Sequence, residues 1–140
     1  AWLAAAFGAR VTVVDYSEQH VAGAKANAWR SGVQLEGACV GNVDSLTGLP
    51  DASFDAVVTN SAVQDQLSAE EQCGVLHMHF VRLLARGGAL WWGDLGSPHS
   101  PTGRRGDEEY WRSCLAPLVE KGIVAFSLVP ELETFGATES

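Results

Sequence analysis

Lysine is almost missing from this chain: Lys25 and Lys121 are the only two in 140 residues, and basic side chains number 9 against 17 acidic ones. The resulting net charge of −8 removes the electrostatic footprint by which proteins grip nucleic acids or anionic membranes, so neither is an expected partner. No apolar run approaches the ~18 residues needed to span a bilayer. No basic stretch precedes the apolar start as it does in a secretory signal. Cysteine is scarce and odd in number. Cys39, Cys73 and Cys114 are too widely spaced for a zinc knuckle or a disulfide framework, and reduced, mostly buried thiols are expected. With no targeting segment, a cytoplasmic location is the expectation. What the chain does have is core-forming material. Hydrophobic residues make up 46% and charged residues 19%, which excludes disorder, and the length suits a single domain over residues 1–140.

The chain opens on Ala1 and reads at once as the tail of a helix (AWLAAAFGA), with Leu3 and Phe7 four apart on one face and Gly8 placed to end it. A fragment of a longer protein is therefore expected. Arg10 to Asp15 (RVTVVD) is a β-branched strand, followed by Ser17 as the N-cap of a helix ending near Gly32. Gln34 to Val40 is a weaker strand candidate, and GNVDSLTGLPDAS is dense in turn residues. Phe54 to Asn60 is an apolar strand. Ser68 with Glu71 predicts a capping box for a helix reaching Arg86, with Gly87 and Gly88 as its stop. Ala89 to Gly93 reads as a buried strand, then a long Gly, Pro and Ser loop leads to a helix over Asp107 to Lys121 and a strand over Ile123 to Val129. Strands that alternate with helices and read as continuous apolar runs predict an α/β fold with a doubly wound, mostly parallel sheet. Ligands of such sheets bind beyond the carboxyl ends of the strands. The residues there are Asp15, Asp44, Asn60 and Asp94.

Asp15, at the end of its strand, can accept two charge-assisted hydrogen bonds from the vicinal hydroxyls of a ribose, or can serve only to cap the helix that follows. Asp44 sits in a turn where its carboxylate can accept from the exocyclic amine of adenine while the Ser45 backbone donates to the ring; by itself it is an ordinary turn residue.

The segments VTVVDYS, VDSLTGLPDASFDAVVTNSAV and LLARGGALWWGD resemble, in order and spacing, successive core motifs of the class I S-adenosylmethionine-dependent methyltransferases. The most specific part is D-x-x-x-x-LP-D-x-S-FD-x-V followed by L-x-R-GG before a strand. The resemblance implies a Rossmann-like fold and S-adenosylmethionine as cofactor. It also implies Asp15 on the ribose, Tyr16 against the adenine, Asp44 with Ser45 at the base, and Asn60 near the reactive end. Ser61, Gln64 and Asp94 are then expected to line the acceptor. The turn TNSAV is not the Asn-Pro-Pro type associated with methylating base or glutamine amino groups, and with the acidic surface this favours a small-molecule acceptor. The implied reaction is an in-line displacement at a sulfonium methyl, governed by alignment, so no dedicated base is required.

Against the family pattern, the first strand and the glycine-rich loop that holds the methionine end should lie just before Ala1, and the tail ETFGATES resembles the approach to a final antiparallel strand. A chain clipped at both ends is expected, binding the cofactor weakly or not at all. The strands ending at Asp15 and Asn60 are expected to expose backbone groups unless they meet each other or recruit another chain.

Other residues carry plainer expectations. His77 and His79, two apart on a helix, point roughly 200° apart and cannot share one ion. Asp65 with Asp94 is a poor basis for magnesium, and no metal is expected. Trp91 and Trp92 read as core, Tyr110 and Trp111 as anchors of the last helix, and Arg104 and Arg105 as solvated charges. Two rivals stand beside the methyltransferase reading. One is a nicotinamide-dependent oxidoreductase, disfavoured because Tyr110 is followed four residues on by Cys114 rather than Lys. The other is a degenerate binding scaffold without activity.

Overall fold

The computed structural model describes residues 1–60, 67–93 and 104–123. They belong to two compact units, one built from Ala1–Val57 and Val75–Leu90 and the other from Val58–Gly74 and Trp91–Ser140. The elements run α1 (Trp2–Phe7), β1 (Thr12–Asp15), α2 (Glu18–Arg30), β2 (Gly37–Val40), a 3-10 segment (Val43–Gly48) and β3 (Phe54–Asn60). They continue with α3 (Ala69–Val75), a π-helical turn (Leu76–Phe80), α4 (Val81–Leu83), β4 (Leu84–Gly93) and α5 (Arg104–Glu120).

In the first unit α1 ends where Gly8 takes up φ +64° and donates its N–H to the Ala4 carbonyl, the left-handed cap its position suggested. Trp2 and Phe7 lie edge to face at 5.2 Å, while Ala4 is the residue that α1 buries. Ser17 caps α2, its hydroxyl accepting from the His20 N–H at 3.3 Å, and α2 buries Val21 and Ala28. β1 and β2 pair in parallel with Thr12 opposite Gly37 and Asp15 opposite Val40. Arg10 and Glu36 clamp the entry of this pair, their closest approach 2.5 Å, and the Glu36 N–H donates to the Val11 carbonyl. The guanidinium's hydrogen bond and its charge hold the Glu36 carboxyl below the usual range, yet both side chains are well exposed and the pair adds little to stability. Leu46, Leu76, Phe80 and Leu83 form the apolar heart of the unit, joining the 3-10 segment to the π-helical turn and α4.

In the second unit Ser68 and Glu71 form the anticipated capping box. The Ser68 N–H donates to the Glu71 carboxylate at 2.8 Å, and the Glu71 N–H donates to the Ser68 hydroxyl at 3.3 Å. α5 buries Cys114 and Leu115. Tyr110 and Trp111 near its middle pack edge to face at 5.0 Å, and burial, with the Glu70 charge in second place, pushes the Tyr110 phenol up.

Several expectations are corrected. Cys73 and Cys114 are joined as a disulfide, with Cα atoms 6.0 Å apart, and Cys39 is exposed, so the thiols are neither all reduced nor mostly buried. Spacing along the chain misled here: 41 residues separate the two cysteines in sequence, and the packing of two helices brings them together. The helix expected to reach Arg86 ends at Leu83, and β4 begins at Leu84. Gly87 and Gly88 therefore lie inside a strand. A Cβ on Gly88 would come within 3.1 Å of the Phe54 and Asp55 carbonyl oxygens, so the glycine serves a close backbone approach to β3 rather than a helix stop. Trp91 is 49% exposed and not core; the Trp92 side chain lies outside the described residues. α5 starts at Arg104, three residues before its expected start. Among the described residues the sheet is not continuous. β1 pairs with β2 and β3 with β4 in two separate two-stranded sheets, and the strands ending at Asp15 and Asn60 do not meet each other. The strand expected over Ile123 to Val129 falls largely outside the described residues. No described helix is long and apolar enough to cross a membrane.

Candidate functional site

The carboxyl ends of β1 and β2 form the rim where the candidate site lies. Asp15 ends β1 with its side chain 26% exposed. Its Oδ1 accepts the Ser17 N–H at 2.8 Å and faces His20 Nδ1 at 3.3 Å. Asp15 orders the turn into α2 through one oxygen, and neither of these contacts engages the other oxygen. Tyr16 is 61% exposed and presents its ring to that of His20 at a centroid distance of 6.5 Å. An exposed aromatic beside a half-buried carboxylate is a suitable wall for a stacked base.

From β1 the rim passes directly to β2. The Gly41 N–H donates to the Asp15 carbonyl at 2.9 Å, closing the register one step beyond the Asp15 and Val40 pair. Gly41 in turn lies flush against Ser45, for a Cβ built on it would stand 2.5 Å from the Ser45 Cβ and closer still to its hydroxyl. No side chain fits there, which explains a glycine at this position. Ser45 and Asp44 occupy the first turn of the 3-10 segment, both exposed. The Ser45 N–H donates to the Asn42 carbonyl at 3.0 Å and Thr47 Oγ1 donates to the Asp44 carbonyl at 2.8 Å. Asn42 reaches the Asp44 carboxylate only at 3.5 Å, a long contact that restrains it weakly. Asp15, Gly41, Ser45 and Asp44 therefore follow one another through direct contacts along a single edge. Such an edge can take hydroxyl donors at one end and an amino donor at the other.

Asn60 closes β3 in the second unit, and its side chain, with Ser61, Gln64, Asp65 and Asp94, lies outside the described residues. His79 is buried in the π-helical turn, its Nδ1 without a hydrogen-bond partner among the described residues, while His77 is half-buried. Two residues of the rim and one that supports it from α4 escaped the reading of the sequence. His20 touches Asp15, Gly41 brings Ser45 up to β1, and Arg82 holds the segment after Asp44 by hydrogen bonds to the Leu46 and Leu49 carbonyls at 2.7 and 2.9 Å. Only Arg82 left a trace in the sequence, as a lone cation in the apolar stretch VLHMHFVRLL.

No curated protein matches the chain. The family profile described as a methyltransferase domain does match, over residues 1–92, a span that takes in β1, the Gly41 to Ser45 junction and all of β4 but its last residue. Two thirds of the sequence thus follow that pattern, and the chain belongs to the methyltransferase domain family and shares its Rossmann-like fold.

Proposed function

We propose that this domain binds the nucleoside end of S-adenosylmethionine along the β1–β2 rim and takes part in methyl transfer to a small-molecule acceptor. The observation that carries the reading is the unbroken run of contacts from Asp15 through Gly41 to Ser45 and Asp44. In this reading Asp15 accepts from both ribose hydroxyls, where its charge strengthens each bond, and Tyr16 covers one face of the adenine. Asp44 accepts from the exocyclic amine; the Ser45 N–H, expected as a donor to the ring, is instead engaged by the Asn42 carbonyl at 3.0 Å, and Ser45 lies at the edge of the base without donating its N–H to it. The cofactor, when bound, supplies a sulfonium methyl open to in-line displacement; the protein's part is to align it with the acceptor and exclude water. The net charge of −8 supports a small acceptor over a nucleic acid. Asn60, Ser61, Gln64 and Asp94 are the proposed lining of the acceptor side.

Titration of S-adenosylhomocysteine into the isotope-labelled 140-residue chain, followed by amide NMR shifts, tests the reading. Saturable shifts at residues 15–17 and 41–45 are expected, with affinity weaker than micromolar. Asp15→Asn and Asp44→Asn should each weaken binding roughly 10- to 100-fold, the range for a lost hydrogen bond to a charged partner. Absence of a saturable response, or unchanged affinity in Asp15→Asn, would overturn it.

A further inference from the structure

We infer that Arg82 is a positioning residue for the nucleoside site, locking the segment that carries Asp44 and Ser45 from behind. The inference rests on the nucleoside reading of Asp15 and Asp44. Arg82 belongs to α4, and its side chain is only 24% exposed. Its guanidinium is spent on one short stretch of chain. Nη2 donates to the Leu46 carbonyl at 2.7 Å, and Nη1 donates to the Leu49 carbonyl at 2.9 Å and to the Asp51 carboxylate. The main chain of the same helix end adds two bonds: the Ala52 N–H donates to the Arg82 carbonyl at 2.9 Å and the Ser53 N–H to the Leu83 carbonyl at 3.0 Å.

The segment needs such an anchor. A 3-10 run of six residues is long for a conformation with poor internal hydrogen bonds; at its end the Leu49 N–H donates to the Leu46 carbonyl at 3.0 Å, and Arg82 adds a second donor to that carbonyl and takes up the carbonyl of Leu49. On the other side of Asp44 the main chain is tied by the Ser45 N–H to the Asn42 carbonyl at 3.0 Å, while the side-chain restraint is slight: the Asn42 contact to the Asp44 carboxylate is 3.5 Å and the Ser45 hydroxyl reaches Asn42 at 3.4 Å. Leu46 is buried and faces inward, so the fork on its carbonyl sets the pitch of the turn immediately after Asp44 and Ser45. A planar fork spans two carbonyls and a carboxylate at once; a lysine ammonium, a point donor on a flexible stem, cannot hold all three in one geometry.

Adenosine and inosine are the probes, because they differ at the exocyclic group that Asp44 reads and share the ribose that Asp15 reads. Amide NMR titrations are run on the wild-type chain, Arg82→Lys and Asp51→Asn, with thermal unfolding followed in parallel. The wild type should prefer adenosine by about tenfold or more, the value of one charge-assisted hydrogen bond. Arg82→Lys should compress that ratio to about threefold or less while ribose-dependent shifts at Asp15 persist, and Asp51→Asn should produce a partial loss. A merely structural arginine would lower the melting temperature and leave the ratio alone. In Arg82→Ala, millimolar guanidinium should restore the preference. If Arg82→Lys fails to fold, Asp51→Asn decides, since that carboxylate is 74% exposed and its loss does not endanger the core. A wild-type ratio in the variants overturns the positioning role and leaves the nucleoside reading intact. A wild type that gives no saturable response to adenosine overturns both.

Discussion

Gly41 illustrates how one residue can hold a site together by having no side chain. The Ser45 Cβ stands 2.5 Å from the place where a Cβ on Gly41 would be, so Gly41→Ala cannot be accommodated unless the turn after β2 moves. Overpacking of this kind costs about 1–3 kcal/mol. Gly41→Ala should lower the urea midpoint accordingly, and Ser45→Gly in the same molecule should recover most of the loss, because it removes the atoms that collide. Additive losses in the double variant would show that the two residues do not press on each other. At this scale the sequence was informative where chemistry is local. Asp15 and Asp44 could be picked out because each follows a strand or opens a turn, whereas the meaning of Gly41 and Arg82 depends on atoms brought near by folding. Arg82 reaches back 36 positions to Leu46, and nothing in the spacing of the two announces it.

The helix N-termini were the most readable elements, since a cap is written within four residues. Ser17 and the pair Ser68 and Glu71 occupy their expected places. The Ser68 hydroxyl and N–H hold the Glu71 carboxyl below the usual glutamate range. Because the folded value is the lower one, the box contributes above the unfolded glutamate range and is lost as pH falls through the depressed folded value. The stability difference between wild type and Glu71→Gln should therefore be present near neutrality and vanish in acid. Paired urea denaturations across pH would check it, and a difference that persists in acid would refute it. Element ends that depend on packing were less readable. The run VLHMHFVRLLARGG reads as one helix by periodicity. Yet a π-helical turn intervenes at Leu76–Phe80, and the chain turns extended at Leu84, where pairing with β3 wins over helix propensity.

At the scale of the whole molecule, the α/β class followed from the alternation of apolar strands with capped helices, and the family match over residues 1–92 agrees with it. The pairing of strands did not follow. Alternation predicts strands but not their neighbours, and the described strands form two pairs instead of one sheet. Nor does cysteine spacing reveal which helices pack. The crosslink from α3 to α5 closes a loop 41 residues apart in sequence, worth about 4 kcal/mol by the loop-entropy argument. Non-reducing peptide mapping should recover Cys73 and Cys114 in one linked species, and reductant should lower the melting temperature. Recovery of three free thiols would contradict the linkage.

Cys39, on the rung of β2 opposite Val14, is then left as the single reactive sulfur, one rung from Asp15. A fluorophore carried on a maleimide would attach there without any engineering of the chain. Its emission would report, in real time, whatever settles on the neighbouring rim.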